Sequence, residues 1–272
     1  MLNLIVKLLG KKIERQSNLV FLSKNLERKV LYDIYLPPKH SENPRPLPLL
    51  VLNDGQDLER MKFVKILQKL YFFRQLPPIM VVGIQAGDRI QEYGTAHQAD
   101  YAQRGSRAKA YNDFLIMEFL PFLEKKHKIK ANPSQRAIAG FSLGGLSSFD
   151  LGWKNSTVFG KIGVFSGALW WRSAAFRESE PDADRIIHNM VADSKEHKKL
   201  KFWLQTGTND ETDDRNNNGI IDSIDDTMDL IIELKLKGYS DNEIKYVEVE
   251  GGEHNPDTWG KVMPQFLKWA FG

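Results

Sequence analysis

The chain has 272 residues, of which 42% are hydrophobic, and its formal net charge is +3. This length and apolar content suffice for a full core in one large α/β domain or two small ones. The nearly balanced charge gives no reason to expect a nucleic-acid partner, because a protein that binds phosphates should show a concentrated basic face. Because the sequence contains no cysteine, it excludes disulfides, cysteine-ligated metals and thiol nucleophiles.

The sequence shows few features of a membrane-spanning segment or of a signal peptide. No apolar run approaches the ~20 residues that a membrane-spanning helix needs. The amino-terminal stretch MLNLIVKLLGKK (residues 1–12) has no basic region before its apolar part and no small-residue cleavage site after it. The sequence therefore predicts a cytoplasmic protein with no membrane partner. The alternative is an exported protein in which the start at residue 1 has replaced a leader peptide.

Apolar, β-rich runs alternate with helical patterns along the chain. The first run alternates at period two before a double proline, as expected of an edge-like strand, and the second is continuously apolar, as expected of a strand buried on both faces. The runs span residues 29–38, 46–54, 77–85, 135–141, 161–167, 201–207 and 244–250. The helical patterns span residues 108–126, 144–154, 182–197, 225–237 and 258–270.

This alternation predicts an α/β fold in which helices cover both faces of a mostly parallel central sheet. Seven or so strands account for the length as a single domain over residues 1–272. In such folds the functional site lies at the carboxyl ends of the strands. The turns that directly follow the apolar runs are therefore the places to search for functional residues.

The motif GFSLGG (residues 140–145) follows the fourth apolar run and precedes a helical pattern. It fits G-x-S-x-G, the nucleophile elbow, in which a strained turn exposes the serine hydroxyl. Ser142 is thus the predicted nucleophile, and Gly140 and Gly144 leave room for the tight bend. The N–H of Leu143 would face the developing oxyanion at a helix N-terminus. The alternative is a small-residue turn with an incidental serine.

A catalytic serine needs a base, which in the α/β-hydrolase order comes late in the chain. The other five histidines either precede Ser142 or, at His188 and His197, lie in a charged helical stretch and are predicted to be surface residues. His254 alone follows a late strand, in the loop GGEHNPDTW. We therefore predict His254 as the base, with a capping or surface role as the alternative.

The orienting acid should follow the strand before that histidine. Asp210 lies three residues past Gly207, at the end of the run KFWLQTG. Glu211 is the alternative, and position alone favours Asp210. A second oxyanion donor is expected in the loop NDGQD (residues 53–57), where Gln56 or Asp57 could offer a backbone N–H. An ordinary turn is the competing interpretation of that loop.

With these residues in place, the chain resembles the putative-esterase family of α/β-hydrolases. That family includes esterase D, the enterochelin esterases, the feruloyl esterases and the mycolyltransferases. The resemblance rests on YLPP at residue 35, LVLNDGQ at residue 50, AIAGFSLGG at residue 137, FSGALWW at residue 165, GTND at residue 207, and GGEH with Trp259.

The resemblance implies Ser142 as nucleophile, His254 as general base and Asp210 as acid, with Leu143 and Gln56 near the oxyanion. The motif departs from relatives that read G-G-H, because Glu253 stands between the glycines and the histidine here. The family spans esterases, amidases and acyltransferases, so it does not fix the acyl group.

Three aromatic residues are candidates for a substrate pocket. Trp170 and Trp171 follow a central strand, where they would wall an apolar or aromatic acyl pocket, or where one would be core and the other a surface cap. Tyr93 lies in a long, polar, tyrosine-rich segment (residues 91–111) that is a candidate lid or substrate-contact loop.

The segment DRNNNGIIDSID (residues 214–225) matches a twelve-residue calcium loop. Its oxygen ligands would be Asp214, Asn216, Asn218, the carbonyl of Ile220, Asp222 and Asp225, with the required glycine, Gly219, at position 6. Asp225 replaces the usual glutamate at position 12 and has a shorter reach, so we expect weak binding. The ion would be structural, and a metal-free loop folded through Asx turns is the alternative.

The sequence therefore predicts a serine hydrolase that cleaves small-molecule carboxylic esters through an acyl-enzyme, with no cofactor required for catalysis. An acyltransferase using the same triad is one alternative. The other is a calcium-dependent binding protein on a hydrolase scaffold that has lost activity. The sequence does not indicate the oligomeric state.

Overall fold

A computed structural model describes residues 12–272 of the chain. Eight strands form one sheet in the order β1-β2-β4-β3-β5-β6-β7-β8. They span β1 (Glu14–Ser23), β2 (Arg28–Leu36), β3 (Leu49–Leu52), β4 (Met80–Ile84), β5 (Arg136–Phe141), β6 (Lys161–Phe165), β7 (Lys201–Asn209) and β8 (Ile244–Glu253). The stretch analysed as a leader lies outside the described residues except for Lys12.

The helices lie between the strands, as the alternating pattern predicts. They are α1 (Phe63–Phe72), α2 (Arg89–Glu92), α3 (Ala108–Asp113), α4 (Leu120–Lys126), α5 (Leu143–Lys154), α6 (Ile186–Ala192), α7 (Asp222–Leu236) and α8 (Pro256–Phe271). None of these helices, all within residues 12–272, is long and apolar enough to cross a membrane.

The sheet is mostly parallel, which confirms the predicted fold class. Strands β3 to β8 pair in parallel, whereas β2 pairs antiparallel with both β1 and β4. Helices α1 and α8 pack on one face with side chains such as Phe63 and Phe266. Helices α3 to α7 cover the other face with side chains such as Phe149 and Leu230. Every residue of β3 is buried, as predicted for a strand enclosed on both faces.

Strand β1 and helices α1 and α2 escaped the sequence analysis. Strand β1 is largely polar and exposed, and a register shift between Gln16 and Leu19 interrupts its alternation. Because β1 covers β2, the prediction that β2 is an edge strand is wrong. Helix α1 was also not predicted, although its Phe63, Leu67 and Leu70 are buried on one side.

Two predicted helices have different bounds in the structure. The helix predicted over 108–126 is interrupted by a π-helical turn at Phe114–Phe119. Pro121 lacks the N–H that would close a regular α-turn at this point. The helix predicted over 182–197 is reduced to α6, since the backbone of Arg185 pairs with Arg172 as an isolated bridge instead of entering the helix.

The prediction that His188 is a surface residue is also wrong. Its side chain is buried on α6, with Nε2 2.8 Å from the carbonyl oxygen of Asp226. Burial, with the positive charge of Arg185 nearby, lowers the pKa of His188 to about 3. The imidazole is therefore neutral at physiological pH. His197 is exposed and stacks on Tyr239, with ring centroids 4.3 Å apart.

A buried ion cluster joins α6, α7 and the loop between β7 and α7. The carboxylate of Asp226 is 2.6 Å from an Arg185 nitrogen and 2.7 Å from an Arg215 nitrogen. Arg215 also pairs with Asp182 at 2.7 Å. Two guanidinium groups taken out of water need this carboxylate, because an unpaired buried charge is costly.

We predict that Asp226→Asn lowers the free energy of unfolding by about 3–5 kcal/mol, since it leaves two buried guanidinium groups without their shared counter-charge. The measurement is urea denaturation of the variant beside wild type. Asp241→Asn is the matched control, because Asp241 is 88% exposed and Lys235 is its one ion-pair partner among residues 12–272. Equal midpoints for the two variants would contradict this role of the cluster.

Candidate active site

Ser142 occupies the turn between β5 and α5 in a strained backbone conformation. Its φ is 54° and its ψ is −122°, a combination that costs energy in any residue with a side chain. Its N–H donates to the carbonyl of Phe165 at 2.8 Å, which ties the turn to the end of β6. A Cβ on Gly140 would lie 2.3 Å from the Gly144 carbonyl oxygen, so glycine is required there. This is the geometry of a nucleophile elbow.

A buried carboxylate and an arginine brace the elbow from the loop after β3. Asp54 has a φ of 58° and no solvent exposure, and Arg89 grips its two oxygens with Nε and Nη2 at 2.8 and 2.9 Å. Nη2 of Arg89 also donates to the carbonyl of Phe141 at 3.1 Å. A Cβ on Gly144 would come within 2.3 Å of the Asp54 carboxylate. Sequence reasoning did not identify Arg89, which follows the end of β4.

The two predicted oxyanion donors occupy different settings. Leu143 is the first residue of α5 and lines the cleft beside Ser142, and the first N–H groups of a helix have no acceptor within it. Gln56 lies in a short 3-10 turn, Gly55–Asp57, and its side chain is engaged by Asp54 at 2.9 Å and by the N–H of Ala86 at 3.1 Å. The Gln56 side chain is therefore committed to bracing the loop.

Asp210 follows β7 and is held by the chain itself. Its Oδ2 accepts a hydrogen bond from the N–H of Gly207 at 3.0 Å. Burial raises the pKa of Asp210, whereas the Gly207 N–H, the Ser166 hydroxyl and the charge of His254 lower it. The charge of the predicted base, His254, thus acts directly on the Asp210 carboxylate.

Glu211 lies in the same cleft with different neighbours. Burial raises its pKa, and the backbone N–H of Ser223 lowers it. The charges that act on Glu211 are those of Asp222, Asp213 and Asp226, all negative. No effect of His254 on Glu211 is resolved, which favours Asp210 as the partner of the imidazole.

His254 lies in the loop between β8 and α8, exposed at the rim of the cleft. Its ring meets the Trp259 indole edge-on, with centroids 5.4 Å apart. Burial of the imidazole nitrogens and the charge of Arg89 lower the pKa of His254, and Asp210 raises it. Within residues 12–272, no hydrogen bond of 3.5 Å or less joins His254 to Ser142 or Asp210. The three groups therefore share a cleft but are not joined as a hydrogen-bonded triad in this structure.

The cleft has a volume of about 460 Å³ and opens at the carboxyl ends of the parallel strands. Ser142, Asp210 and His254 line it together with Trp170 and Trp171. Its wall also includes Arg89, Ile90, Arg104, Ser166, Glu211 and Ser223.

The two tryptophans have different roles. Trp171 is fully buried, whereas Trp170 is 39% exposed. The guanidinium of Arg104, from the tyrosine-rich segment, lies 5.0 Å from a ring centroid of each. Trp170 also lines a neighbouring groove of about 790 Å³ that includes the exposed Tyr101 and Phe176.

The expectation that Tyr93 contacts substrate is wrong. Its side chain is fully buried, and its hydroxyl accepts a hydrogen bond from the N–H of Asp54 at 3.1 Å. Its ring packs edge-on against Tyr111. Tyr93 therefore supports the loop that braces the elbow.

The predicted calcium loop closes on itself through its own side chains. Asp214 accepts the N–H groups of Asn218 and Gly219 at 3.1 and 2.8 Å. The amides of Asn216 and Asn218 both donate to Oδ2 of Asp225, at 3.1 and 2.7 Å. In the described part of the chain, no three His, Cys, Asp or Glu side chains are grouped so as to hold a metal ion.

This chain belongs to the family described as Putative esterase, whose model matches residues 23–270. It is an ester hydrolase with the α/β-hydrolase fold of that family.

The chain is 24% identical to the uncharacterized protein YbbA of Bacillus subtilis over 250 residues, covering 89% of this chain and 92% of YbbA. Among solved structures it resembles a ferulic acid esterase with a TM-score of 0.73 and 19% identity, covering 96% of this chain and 98% of that one. It also resembles the enterobactin esterase FES of Shigella flexneri with a TM-score of 0.75 and 20% identity. That match covers 96% of this chain and 59% of FES, so this chain spans well under two thirds of the FES length.

Proposed function

We propose that this protein cleaves carboxylic esters through an acyl-enzyme on Ser142, with His254 as general base and Asp210 as the orienting acid. The observation that carries the proposal is one cleft that joins a strained elbow serine to an imidazole and a carboxylate whose pKa values respond to each other's charge. These are the parts that acyl transfer requires.

The reaction proceeds in two halves. His254 takes the hydroxyl proton of Ser142 while Oγ bonds to the ester carbonyl carbon, and the carbonyl oxygen becomes an oxyanion near the N–H of Leu143. The C–O bond to the alcohol breaks, and His254 gives its proton to the departing oxygen. Water then adds to the acyl carbon as His254 takes its proton, and the acid leaves as the proton returns to Ser142.

The electrostatics support these roles. Burial and Arg89 hold the pKa of His254 below its ordinary value, so the imidazole is neutral and able to accept a proton at neutral pH. The carboxylate of Asp210 opposes this effect and stabilises the imidazolium that forms during each transfer. Gln56 would supply the second oxyanion donor through its backbone N–H, beside the braced loop.

The aromatic wall supports an ester with an aromatic or apolar acyl part. Trp170 is partly exposed in the same cleft as Ser142, and the groove that it also lines gives room for a large alcohol part. Two of the similar structures, a ferulic acid esterase and an enterobactin esterase, are named for substrates of this kind.

Transfer to an alcohol other than water uses the same triad and is the second candidate within this chemistry. The position of His254 at the exposed rim of the cleft favours hydrolysis, because water can enter the cleft beside it. An inactive binding protein is disfavoured, because it would not need the strained serine, the base and the acid to meet in one cleft.

We also propose that residues 214–225 hold a structural calcium ion. The loop has six oxygen ligands at calcium spacing, and the side-chain amides of Asn216 and Asn218 (positions 3 and 5) lie beside the carboxylate of Asp225 (position 12), so that turning these amides would bring their oxygens toward an ion. The cytoplasmic location stays a prediction. A weak calcium site would fill at calcium concentrations near its Kd, which in extracellular modules is ~10⁻⁴–10⁻³ M.

Hydrolysis of nitrophenyl esters tests the nucleophile. We expect wild type to release nitrophenol from acetyl, butyryl and aromatic acyl esters, and Ser142→Ala to abolish release because no acyl-enzyme forms. Melting curves establish that the variant is folded. Undiminished hydrolysis by Ser142→Ala would contradict the assignment, as would folded wild type that neither hydrolyses an ester nor reacts with a fluorophosphonate.

A pair of neighbouring substitutions separates the two acids. Asp210→Asn should lower kcat by about 10³-fold or more, because the imidazolium loses its counter-charge and its orientation. Glu211→Gln should change kcat by less than about threefold, since no effect of His254 on Glu211 is resolved. The reverse pattern would move the assignment to Glu211.

Calorimetry with Ca²⁺ and Mg²⁺ tests the loop. We expect binding heat with Ca²⁺ and a stabilisation of about 1.4 kcal/mol at tenfold excess over Kd, because the ion binds only the folded loop. Asp214→Ala should abolish both effects, whereas Asp213→Ala removes the same charge without removing a ligand. No heat and no change in melting temperature at millimolar ion would rule out the site.

A further inference from the structure

Ser166 directly follows β6 and lines the cleft, yet the reaction described above gives it no role. It is buried, with a φ of 45° in the left-handed region, where a serine is strained. Its N–H donates to the carbonyl of Gln205 at 2.7 Å, and the preceding carbonyl, that of Phe165, accepts the N–H of Ser142 at 2.8 Å. The backbone thus places the Ser166 hydroxyl at a fixed point beside the nucleophile turn.

The hydroxyl of Ser166 is oriented by a tryptophan. Nε1–H of Trp259 donates to its Oγ at 3.0 Å. An indole N–H is a donor only, so Oγ is the acceptor in this bond and its own proton remains available for another acceptor. The hydroxyl lies near enough to Asp210 to lower the pKa of that carboxyl.

The carboxylate of Asp210 has one oxygen in need of such a donor. Its Oδ2 is held by the Gly207 N–H, whereas Oδ1 is buried and has no hydrogen-bond partner at standard distances within residues 12–272. A buried carboxylate oxygen without a donor is costly. A small adjustment of the Ser166 hydroxyl or of the carboxylate would satisfy both groups.

Trp259 connects this pair to the other two members of the site. Its ring stacks on Phe141, the residue before the nucleophile, with centroids 5.1 Å apart and planes inclined by 21°. The same ring meets His254 edge-on. One side chain of α8 therefore touches the neighbour of the nucleophile, the base, and the hydroxyl beside the acid.

We propose that Ser166 is a positioning residue, whose hydroxyl, oriented by the Trp259 indole N–H, donates to Asp210, fixes the orientation of this carboxylate and shares its negative charge. The proposal rests on the proposed function, because it assigns a role relative to the same three residues. No bond is made or broken at Ser166, and it does not touch the reacting atoms.

The charged groups around Asp210 and His254 determine the direction in which loss of the Ser166 hydroxyl shifts the pH dependence of the reaction. His254 faces Asp210 from the loop before α8, Arg89 acts on His254 from α2, and Tyr246 on β8 senses the charge of Asp210. The Ser166 hydroxyl lowers the pKa of Asp210. Loss of this donor raises that pKa and leaves a more basic carboxylate, which stabilises the His254 imidazolium more strongly. The protonated, inactive form of the pair then persists to higher pH.

Four variants test the role. Ser166→Ala removes the hydroxyl, and Ser166→Gly removes it without left-handed strain, so both are needed to separate the hydroxyl from the backbone. Trp259→Phe removes the N–H and keeps an aromatic ring against Phe141. Ser147→Ala, another buried serine, is the matched control. Melting curves establish which variants are folded.

In ester hydrolysis we expect both Ser166 variants to lose about tenfold or more in kcat with little change in KM, as for a lost hydrogen bond to a charged group. The acidic limb of their kcat/KM profiles should move up by about 0.5–1 pH unit. Trp259→Phe should move it in the same direction, and Ser147→Ala should not. A merely structural role would lower the fraction of active enzyme and leave the limb in place.

An NMR titration of the His254 ring needs no substrate and therefore separates failure of this inference from failure of the proposed function. The His254 signal is assigned by its loss in His254→Ala. Its midpoint should rise in both Ser166 variants relative to wild type and Ser147→Ala. A midpoint that stays within about 0.2 units of wild type, or that falls, would overturn the proposal even if the enzyme hydrolyses esters.

Discussion

The strained turn at Ser142 is the constraint around which the strand ends are arranged. A serine with positive φ exists only where its surroundings leave no relaxed alternative. Here the surroundings are the Phe165 carbonyl, which accepts the serine N–H, and the Gly144 carbonyl, whose oxygen lies 2.3 Å from the place that a Cβ on Gly140 would occupy. The packing of β5 and α5 between their neighbours offsets the backbone strain of this turn. The conformation of the nucleophile therefore depends on the whole sheet.

Paired charges let the chain bury carboxylates close to that turn. Asp54 lies without solvent exposure directly beneath the elbow, and Arg89 neutralises it with two hydrogen bonds while leaving part of its guanidinium in the cleft. Asp226 on α7 is neutralised by two guanidinium groups, those of Arg185 and Arg215, which both contact its Oδ1. In both cases a loop is fixed by a charge pair where a purely apolar contact would leave its backbone groups unsatisfied.

The sequence predicts the fold class, the elbow and the shared position of Ser142, Asp210 and His254 in one cleft, because glycine spacing and strand order are local signals that survive folding. It fails where tertiary contacts decide. Tyr93 belongs to a polar segment but is buried beneath Asp54. His188 lies in a charged stretch but is enclosed by α7. Strand β1 lacks alternation because of its register shift, and the importance of Ser166 is visible only once Trp259 and Asp210 are seen on either side of it.

Ser223 lines the cleft from the first turn of α7 and is also the tenth residue of the segment 214–225. The cleft is therefore partly built from a surface segment that no strand has to accommodate. Insertions, deletions or drift in such a segment can reshape substrate preference while the sheet and the reacting groups stay unchanged. Divergence of relatives toward new esters would be expected to leave its record in this segment.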